Sequence, residues 1–406
     1  VDNHVILGEL ALDGSINPIR GVLPALVSAA KHDIALAIIP FGNGPEARGV
    51  AGVTSMACVD LRQVLAYTQE GVLPEKQEET TSSLPTHMCD LSDVAGQKNA
   101  RYALEIAAIG GHHLLLIGPP GTGKTMLAER IPTILPPLTQ GAALEVAAIH
   151  SIAGALAERP LLSNVPPFVA PHHTTTSTAM IGGGAHHIRP GACSMAHGGV
   201  LFIDEAPECN SGVLDSLRQP LESGTVAISR ATGTIKFPAD FLLVLAANPC
   251  PCGKFTGKGR ACTCASLQIR RYLQRLSGPL LDRIDIRTLV EVPSRAELAS
   301  GTPGESSACV RARVIAARAL AEERFNGEGW LLNSRIPASQ LRERFRAKRE
   351  GMAFLHSELD DERLSARGFH KVIRLAWSIA DRDGVTTPGL PEIQSAYQLR
   401  QGSEIL

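Results

Sequence analysis

The sequence predicts an α/β protein: a parallel-sheet core, closed by a C-terminal helical lid and preceded by a smaller α/β unit. Three observations carry this. Short, continuous apolar runs occur at His113-Leu114-Leu115-Leu116-Ile117, Val200-Leu201-Phe202-Ile203 and Phe241-Leu242-Leu243-Val244-Leu245, the pattern of strands buried on both faces. A glycine-rich loop separates the first run from a helical stretch. After Pro293 the chain becomes rich in Ala, Arg, Leu and Glu, as in Cys309 to Phe325 and Ser339 to Arg349.

In the N-terminal unit, expected over residues 1–72, Val5-Ile6-Leu7 reads as a strand, Gly14 as a turn, Val22 to Ala30 as a helix, and Ile34 to Ile39 as a strand stopped by Pro40. Residues 73–89, with Glu78-Glu79-Thr80-Thr81-Ser82-Ser83 at their centre, hold few apolar side chains and read as a linker. The core is expected over 90–292 and the lid over 293–406, so the 406 residues divide into the two or three domains usual for this length. Val1 in place of an initiator Met suggests processing or a missing N-terminal segment. With 39 basic and 40 acidic residues there is no global field to recruit nucleic acid, and any such contact must come from local loops. No apolar run approaches the ~20 residues of a membrane span, and no signal layout opens the chain, so a cytoplasmic protein is expected.

The loop reads Gly118-Pro119-Pro120-Gly121-Thr122-Gly123-Lys124-Thr125, then Met126. A strand before it and a helix after it give the context that G-x-x-x-x-G-K-[ST] needs. Backbone N–H groups and the helix N-terminus would face the phosphates of ATP, Lys124 would reach them directly, and Thr125 would offer its hydroxyl to Mg²⁺. The second apolar run ends in Asp204-Glu205; Asp204 would hold Mg²⁺ through water and Glu205 would polarise the attacking water. An acidic pair opening a surface helix is the bland alternative. The third run ends at Asn248, whose amide could orient that water.

Nine cysteines are an odd number, and four crowd together as Cys250-x-Cys252 and Cys262-x-Cys264. Two such knuckles suit a structural, tetrahedral Zn²⁺ in a reducing compartment, with unliganded thiols as the alternative. His172, His173, His186, His187 and His197 lack helical ligand spacing and read as loop histidines. A hairpin from Ile228 to Phe237 is expected to turn at Thr232-Gly233 and to carry Arg230 and Lys236. In the lid, a helix from about Phe369 to Ala380 should bury Phe369, Val372, Ile373, Ala376 and Ile379, leaving Arg367, Lys371 and Arg374 on an opposite stripe whose usual meaning is a solvated face.

Taken together, the loop, the acidic pair and Asn248 resemble the AAA+ superfamily. Within it, Asp93-Val94-Ala95-Gly96-Gln97, Ala170-Pro171-His172-His173-Thr174, Ile181-Gly182-Gly183-Gly184, Asn248-Pro249-Cys250-Pro251-Cys252-Gly253 and Ser277 to Asp285 are similar to the magnesium-chelatase-like branch and to its ComM/YifB family. The resemblance implies that Asn248 is sensor 1, Arg283 an arginine finger and Arg367 sensor 2, with Arg374 in reserve. By residue type alone, Arg283 between Asp282 and Asp285 could equally be a surface ion pair. It also implies that His172 to His197 is a pore-facing insert and that the hairpin is a second pore element, Arg230 and Lys236 touching DNA. The segment Gly8 to Val22 resembles part of a Lon protease domain, but Leu23 stands where such a protease has its catalytic Lys, and the region matching its Ser-bearing half is absent, so a degenerate unit is expected. The implied function is a ring-shaped ATPase, a homo-oligomer and by family a hexamer, that acts as a DNA helicase in branch migration during natural transformation, with recombination proteins as candidate partners. A magnesium-chelatase motor subunit or an AAA+ protein remodeller is the alternative; the chain shows no integrin-like metal-site domain, and Met180-Ile181 is only a weak stand-in for an aromatic pore pair.

Overall fold

The computed structural model describes residues 4–72, 89–156, 162–184, 187–230, 233–255, 261–294, 297 and 304–402. The expected linker therefore lies almost wholly outside the described residues. No helix among those described is long and apolar enough to cross a membrane. The chain divides into two compact units.

The first unit is built on a parallel sheet of β1 (His4–Ile6), β2 (Leu36–Pro40) and β3 (Thr54–Cys58), in that order. Helix α1 (Val22–Lys31) buries Val22, Leu23, Leu26 and Ala29, and α2 (Leu61–Glu70) is capped by Asp60, which accepts the Gln63 N–H at 3.0 Å. A helix distant in sequence, Gln140–Ala153, joins this unit and adds Ala147 to its apolar cluster. That helix is Ala-rich all round, so its sequence gives no directional stripe pointing to this partner. Glu46 ties the unit together by accepting from the Leu23 N–H (3.0 Å), the Asn43 amide (2.7 Å) and the Ser151 hydroxyl (2.5 Å). Leu23, at the protease-lysine position, is wholly buried core.

The second unit holds a five-stranded, all-parallel sheet. Its strands are β4 (Leu114–Ile117), β5 (Phe168–Val169), β6 (Val200–Ile203), β9 (Leu242–Ala247) and β10 (Ile286–Leu289), in spatial order β10-β4-β9-β6-β5; β7 (Thr225–Arg230) and β8 (Gly233–Pro238) form a separate hairpin. Every residue of β4, β6 and β9 is buried, as the uninterrupted apolar runs require. Helix α3 (Lys98–Gly110) packs below the sheet, and α4 (Lys124–Glu129) follows the glycine-rich loop. Lid helices α5 (Ser307–Arg324), α6 (Arg349–Asp360), α7 (Ala366–Asp383) and α8 (Leu390–Gln401) share one continuous apolar cluster with α3 and the sheet.

The apolar face of α7 is as its periodicity predicts. The opposite stripe is not a solvated face. Lys371 Nζ lies 2.7 Å from Asp285 Oδ1 with both side chains nearly buried, and Arg374 donates to the Ile336 carbonyl at 2.7 and 2.9 Å. Arg367 alone stays open to solvent, paired with Asp282 at 2.7 Å.

Candidate nucleotide site and cysteine cluster

Parallel topology brings the C-terminal ends of β4, β6 and β9 to one edge, where ligand sites of open α/β sheets form. From these three ends come the glycine-rich loop, Asp204-Glu205 and Asn248. They line a cavity of about 410 Å³, bounded by Pro120, Gly121, Thr122, Gly123, Lys124, Thr125, Met126, Asp204, Glu205 and Asn248. The loop can wrap because Gly121 and Gly123 hold φ of +76° and +89°. Gly118 and Pro119 supply carbonyls to Lys124 Nζ at 2.7 and 2.9 Å, and Asn248 Oδ1 accepts from it at 3.1 Å. Burial pushes the Lys124 ammonium below its ordinary value, opposed by the carboxylates of Asp204 and Glu205. A desolvated cation beside glycine-loop N–H groups is a site for anionic oxygen.

Thr125 Oγ1 donates to Asp204 Oδ2 at 2.8 Å, while Asp204 Oδ1 accepts the Glu205 N–H at 2.8 Å. A hydroxyl and a carboxylate meeting at the cavity are hard oxygen donors, which suit Mg²⁺. Glu205 sits in the left-handed region at φ +48°, an unusual conformation for a non-glycine residue that turns its side chain out of the sheet end. Its Oε2 lies 3.5 Å from His173 Nδ1, a neighbour that sequence reasoning left among the loop histidines. His172 lies against His173 with the rings tilted and 4.1 Å apart, and pairs with the Thr174 hydroxyl at 2.8 Å; His197 accepts the Asp240 N–H at 3.1 Å. His186 lies outside the described residues.

Arg283 and Arg367 do not line this cavity. Arg283 is bound to the Pro279 carbonyl (2.7 Å) and to Glu222. Arg283 belongs to the segment entering β10, where the Asp285 and Ile286 N–H groups bond the His113 carbonyl at the start of β4, and Arg367, on α7, pairs with Asp282 of that segment. The cavity is at the other end of that strand.

In the hairpin, Arg230 pairs with Gly233 and Ala227 with Lys236. Gly233 is thus already in β8, and Thr232 of the expected Thr232-Gly233 turn lies outside the described residues. Directly paired residues share a face, so Arg230 lies on the face of Val226 and Ile228, and Lys236 on the other. Both are exposed.

The sulfurs of Cys250, Cys252, Cys262 and Cys264 lie within 4.8 Å of one another, the one metal-capable grouping among the described residues. Sulfur separations are 3.3 Å for Cys250–Cys252 and 3.6 Å from Cys262 to each of them. Zinc–thiolate bonds of about 2.3 Å in a tetrahedron place sulfurs about 3.8 Å apart, so the donor set fits. The Lys254 N–H leads the hydrogen bonds that hold the Cys252 thiol down at about 6.

Residues 90–298 match the family described as magnesium chelatase, subunit ChlI, residues 304–400 its C-terminal region, and residues 1–43 the family of subunit ChlI of Mg-chelatase. An uncharacterized protein of Mycobacterium tuberculosis is 44% identical over 402 residues, covering 99% of this chain and 79% of its own length. YifB of Escherichia coli is 39% identical over 407 residues, 100% of this chain and 79% of YifB. The competence protein ComM of Haemophilus influenzae is 38% identical over 403 residues, 97% of this chain and 77% of ComM.

Proposed function

The chain belongs to the magnesium-chelatase ChlI family, as a motor-type AAA+ protein similar along its length to YifB and ComM, and from that premise we propose that it is an ATP-driven, ring-forming DNA motor that promotes branch migration during recombination of incoming DNA. The observation that supports motor chemistry most is the convergence of Lys124, Thr125, Asp204, Glu205 and Asn248 on one cavity. Lys124 binds the phosphates there. Thr125 and Asp204 would hold Mg²⁺, which neutralises phosphate charge. Glu205 takes the proton of the attacking water, and Asn248 orients that water against the phosphate.

Geometry supports a ring. Arg283 enters β10 beside the start of β4, and four paired residues separate that point from the glycine loop, about 13 Å of strand. An arginine so placed serves the nucleotide of a neighbouring copy, and Arg367, tied to Asp282, travels with it. A hexamer would complete six such sites. The four thiolates would hold one structural Zn²⁺ per chain.

The DNA reading draws on the likeness to a competence protein and on Arg230 and Lys236 at the exposed hairpin. Repeated around a pore, two cations per subunit give a nearly neutral chain a salt-dependent grip on phosphates. Unwinding of branched DNA by purified protein with ATP tests it. Arg230→Ala with Lys236→Ala should cut strand separation at least tenfold while leaving DNA-free ATP hydrolysis intact. Wild-type protein without DNA-dependent activity would turn the reading to the alternative that the family description favours, a chelatase-type motor, or to a protein remodeller.

A further inference from the structure

The cysteine cluster is not a remote staple. Asn248, which meets Lys124 at 3.1 Å, is followed by Pro249 and then by the first two sulfurs, those of Cys250 and Cys252. A turn closed by the Gly253 N–H on the Cys250 carbonyl at 2.9 Å brings Gly253 against the phosphate loop. Gly253 holds φ +73°, and a Cβ there would come within 2.5 Å of Pro120 Cδ. From the far side, Cys262 and Cys264 lead into the helix Ser266–Leu273, and its buried Tyr272 returns its hydroxyl to the Asn248 backbone. Both halves of the cluster therefore end on the same residue. The first pair of sulfurs leaves from Asn248 and backs Pro120; the second pair anchors the helix that comes back to Asn248. Contacts between thiols are weak, and among the described residues the two pairs otherwise meet through N–H groups on sulfur, that of Thr263 on Cys252 and that of Cys252 on Cys264, so metal ligation is what would tie them firmly together.

We infer that the four-thiolate site positions the nucleotide-binding loop: metal held by Cys250, Cys252, Cys262 and Cys264 fixes Asn248 and Pro120, so that nucleotide binding and hydrolysis depend on it. The inference rests on the zinc reading above. It makes Gly253 and Tyr272 positioning residues, since both act through Asn248 or Pro120 and not on the nucleotide.

Full-length protein, purified under reducing conditions, is compared as isolated, after stripping by a chelator, and after return of stoichiometric Zn²⁺. Zinc content, affinity for a fluorescent ATP analogue and ATP turnover are read in each state. Displacement of catalytic groups by about 1 Å costs about 10²-fold in rate. The stripped protein should therefore lose turnover on that scale and bind nucleotide about tenfold more weakly, with both restored by zinc. Gly253→Ala leaves the ligands in place: it should retain one zinc per chain yet lose turnover, and adding Pro120→Ala, which removes the ring atoms it strikes, should recover most of the loss measured against Pro120→Ala alone. Backbone strain at φ +73° by itself would lower stability and would not respond to Pro120. Stripped protein that binds and turns over ATP like the loaded form overturns the coupling while leaving zinc binding intact. Gly253→Ala at wild-type turnover overturns the contact with Pro120. Absence of zinc from freshly purified protein defeats the metal reading itself, and the inference with it.

Discussion

Replacing Lys371 by Met isolates what holds the segment carrying Arg283 onto the lid. In the native protein Asp285 meets Lys371 Nζ at 2.7 Å and His112 Nδ1 at 3.1 Å, and His112, wholly buried, reaches the Ser378 hydroxyl at 2.8 Å with its other nitrogen. Burial pulls the Asp285 carboxyl up, but the Lys371 charge and the His112 hydrogen bond outweigh it and hold the group well below its ordinary value. Lys371 is itself pushed down by burial, so the pair gains less than the carboxylate's shift alone implies. Removing one partner is different, because it strands a buried carboxylate at a cost of about 3–5 kcal/mol. Lys371→Met should therefore lower the denaturation midpoint by roughly 10 °C. Asp285 is ionised in the fold and lends stability above its unfolded value near 3.8 that is lost on further acidification; in the variant burial is no longer outweighed by the Lys371 charge, so this contribution shrinks and the gap to wild type should narrow as pH falls. Adding Asp285→Asn should return most of the difference, since a buried pair replaced as a unit costs little. Thermal and denaturant melts of the four proteins make the double-mutant cycle. A Lys371→Met protein within about 1 kcal/mol of wild type would refute the reasoning.

Lys124→Ala should abolish ATP binding, whereas Glu205→Gln should bind ATP and hydrolyse it at least 10²-fold more slowly; wild-type turnover in Glu205→Gln removes its role. Mixtures of Arg283→Ala and Lys124→Ala subunits should recover activity that neither has alone, by interfaces pairing an intact loop with an intact arginine, and full activity in pure Arg283→Ala would exclude the finger. Acid should also loosen the sheet through His113, whose Nδ1 accepts the Leu243 N–H at 3.1 Å and so carries its proton on Nε2. Burial pushes this imidazole down to about 4 from 6.5. The unfolded chain takes the proton first, so stability is complete above about pH 6.5 and falls as pH drops toward 4, by at most about 3 kcal/mol because one edge of the residue is open to water. Denaturant melts at pH 7 and 5 should show this slope in wild type and a flatter one in His113→Gln; equal slopes would rule His113 out.

The parts legible in the sequence are those set by local pattern. Strands β4, β6 and β9 were marked by apolar runs, the phosphate loop by its glycines, and α7 by its 3.6-residue period, because each needs no knowledge of its partner. What escaped depends on who the neighbour is. The stripe Arg367, Lys371 and Arg374 has the spacing of a solvated face, and only the arrival of Asp282, Asp285 and the Ile336 carbonyl makes it a docking surface. Spacing made the cysteines a donor set, but nothing in C-x-C reveals that Gly253 backs onto Pro120. Likewise His173 has no local signal for its place beside Glu205.

These contacts share a consequence for how a ring of such chains would work. One end of β4 carries the phosphate loop; the other receives Asp285, and with it Arg283, on a segment held by three lid groups, Arg367, Lys371 and the Arg400 guanidinium on the Ile284 carbonyl. Sheet and lid share one packed core, and packed cores shift between discrete arrangements more readily than they deform. A change at the loop end thus reaches the arginine end as a displacement of the lid and the sheet edge together. In an assembly where that arginine serves the next subunit, each nucleotide site would report its state to its neighbour through the pair of Lys371 and Asp285. The Lys371→Met variant then has a second readout: in mixtures with Lys124→Ala subunits it should recover less activity than wild type does, even at temperatures where it remains folded.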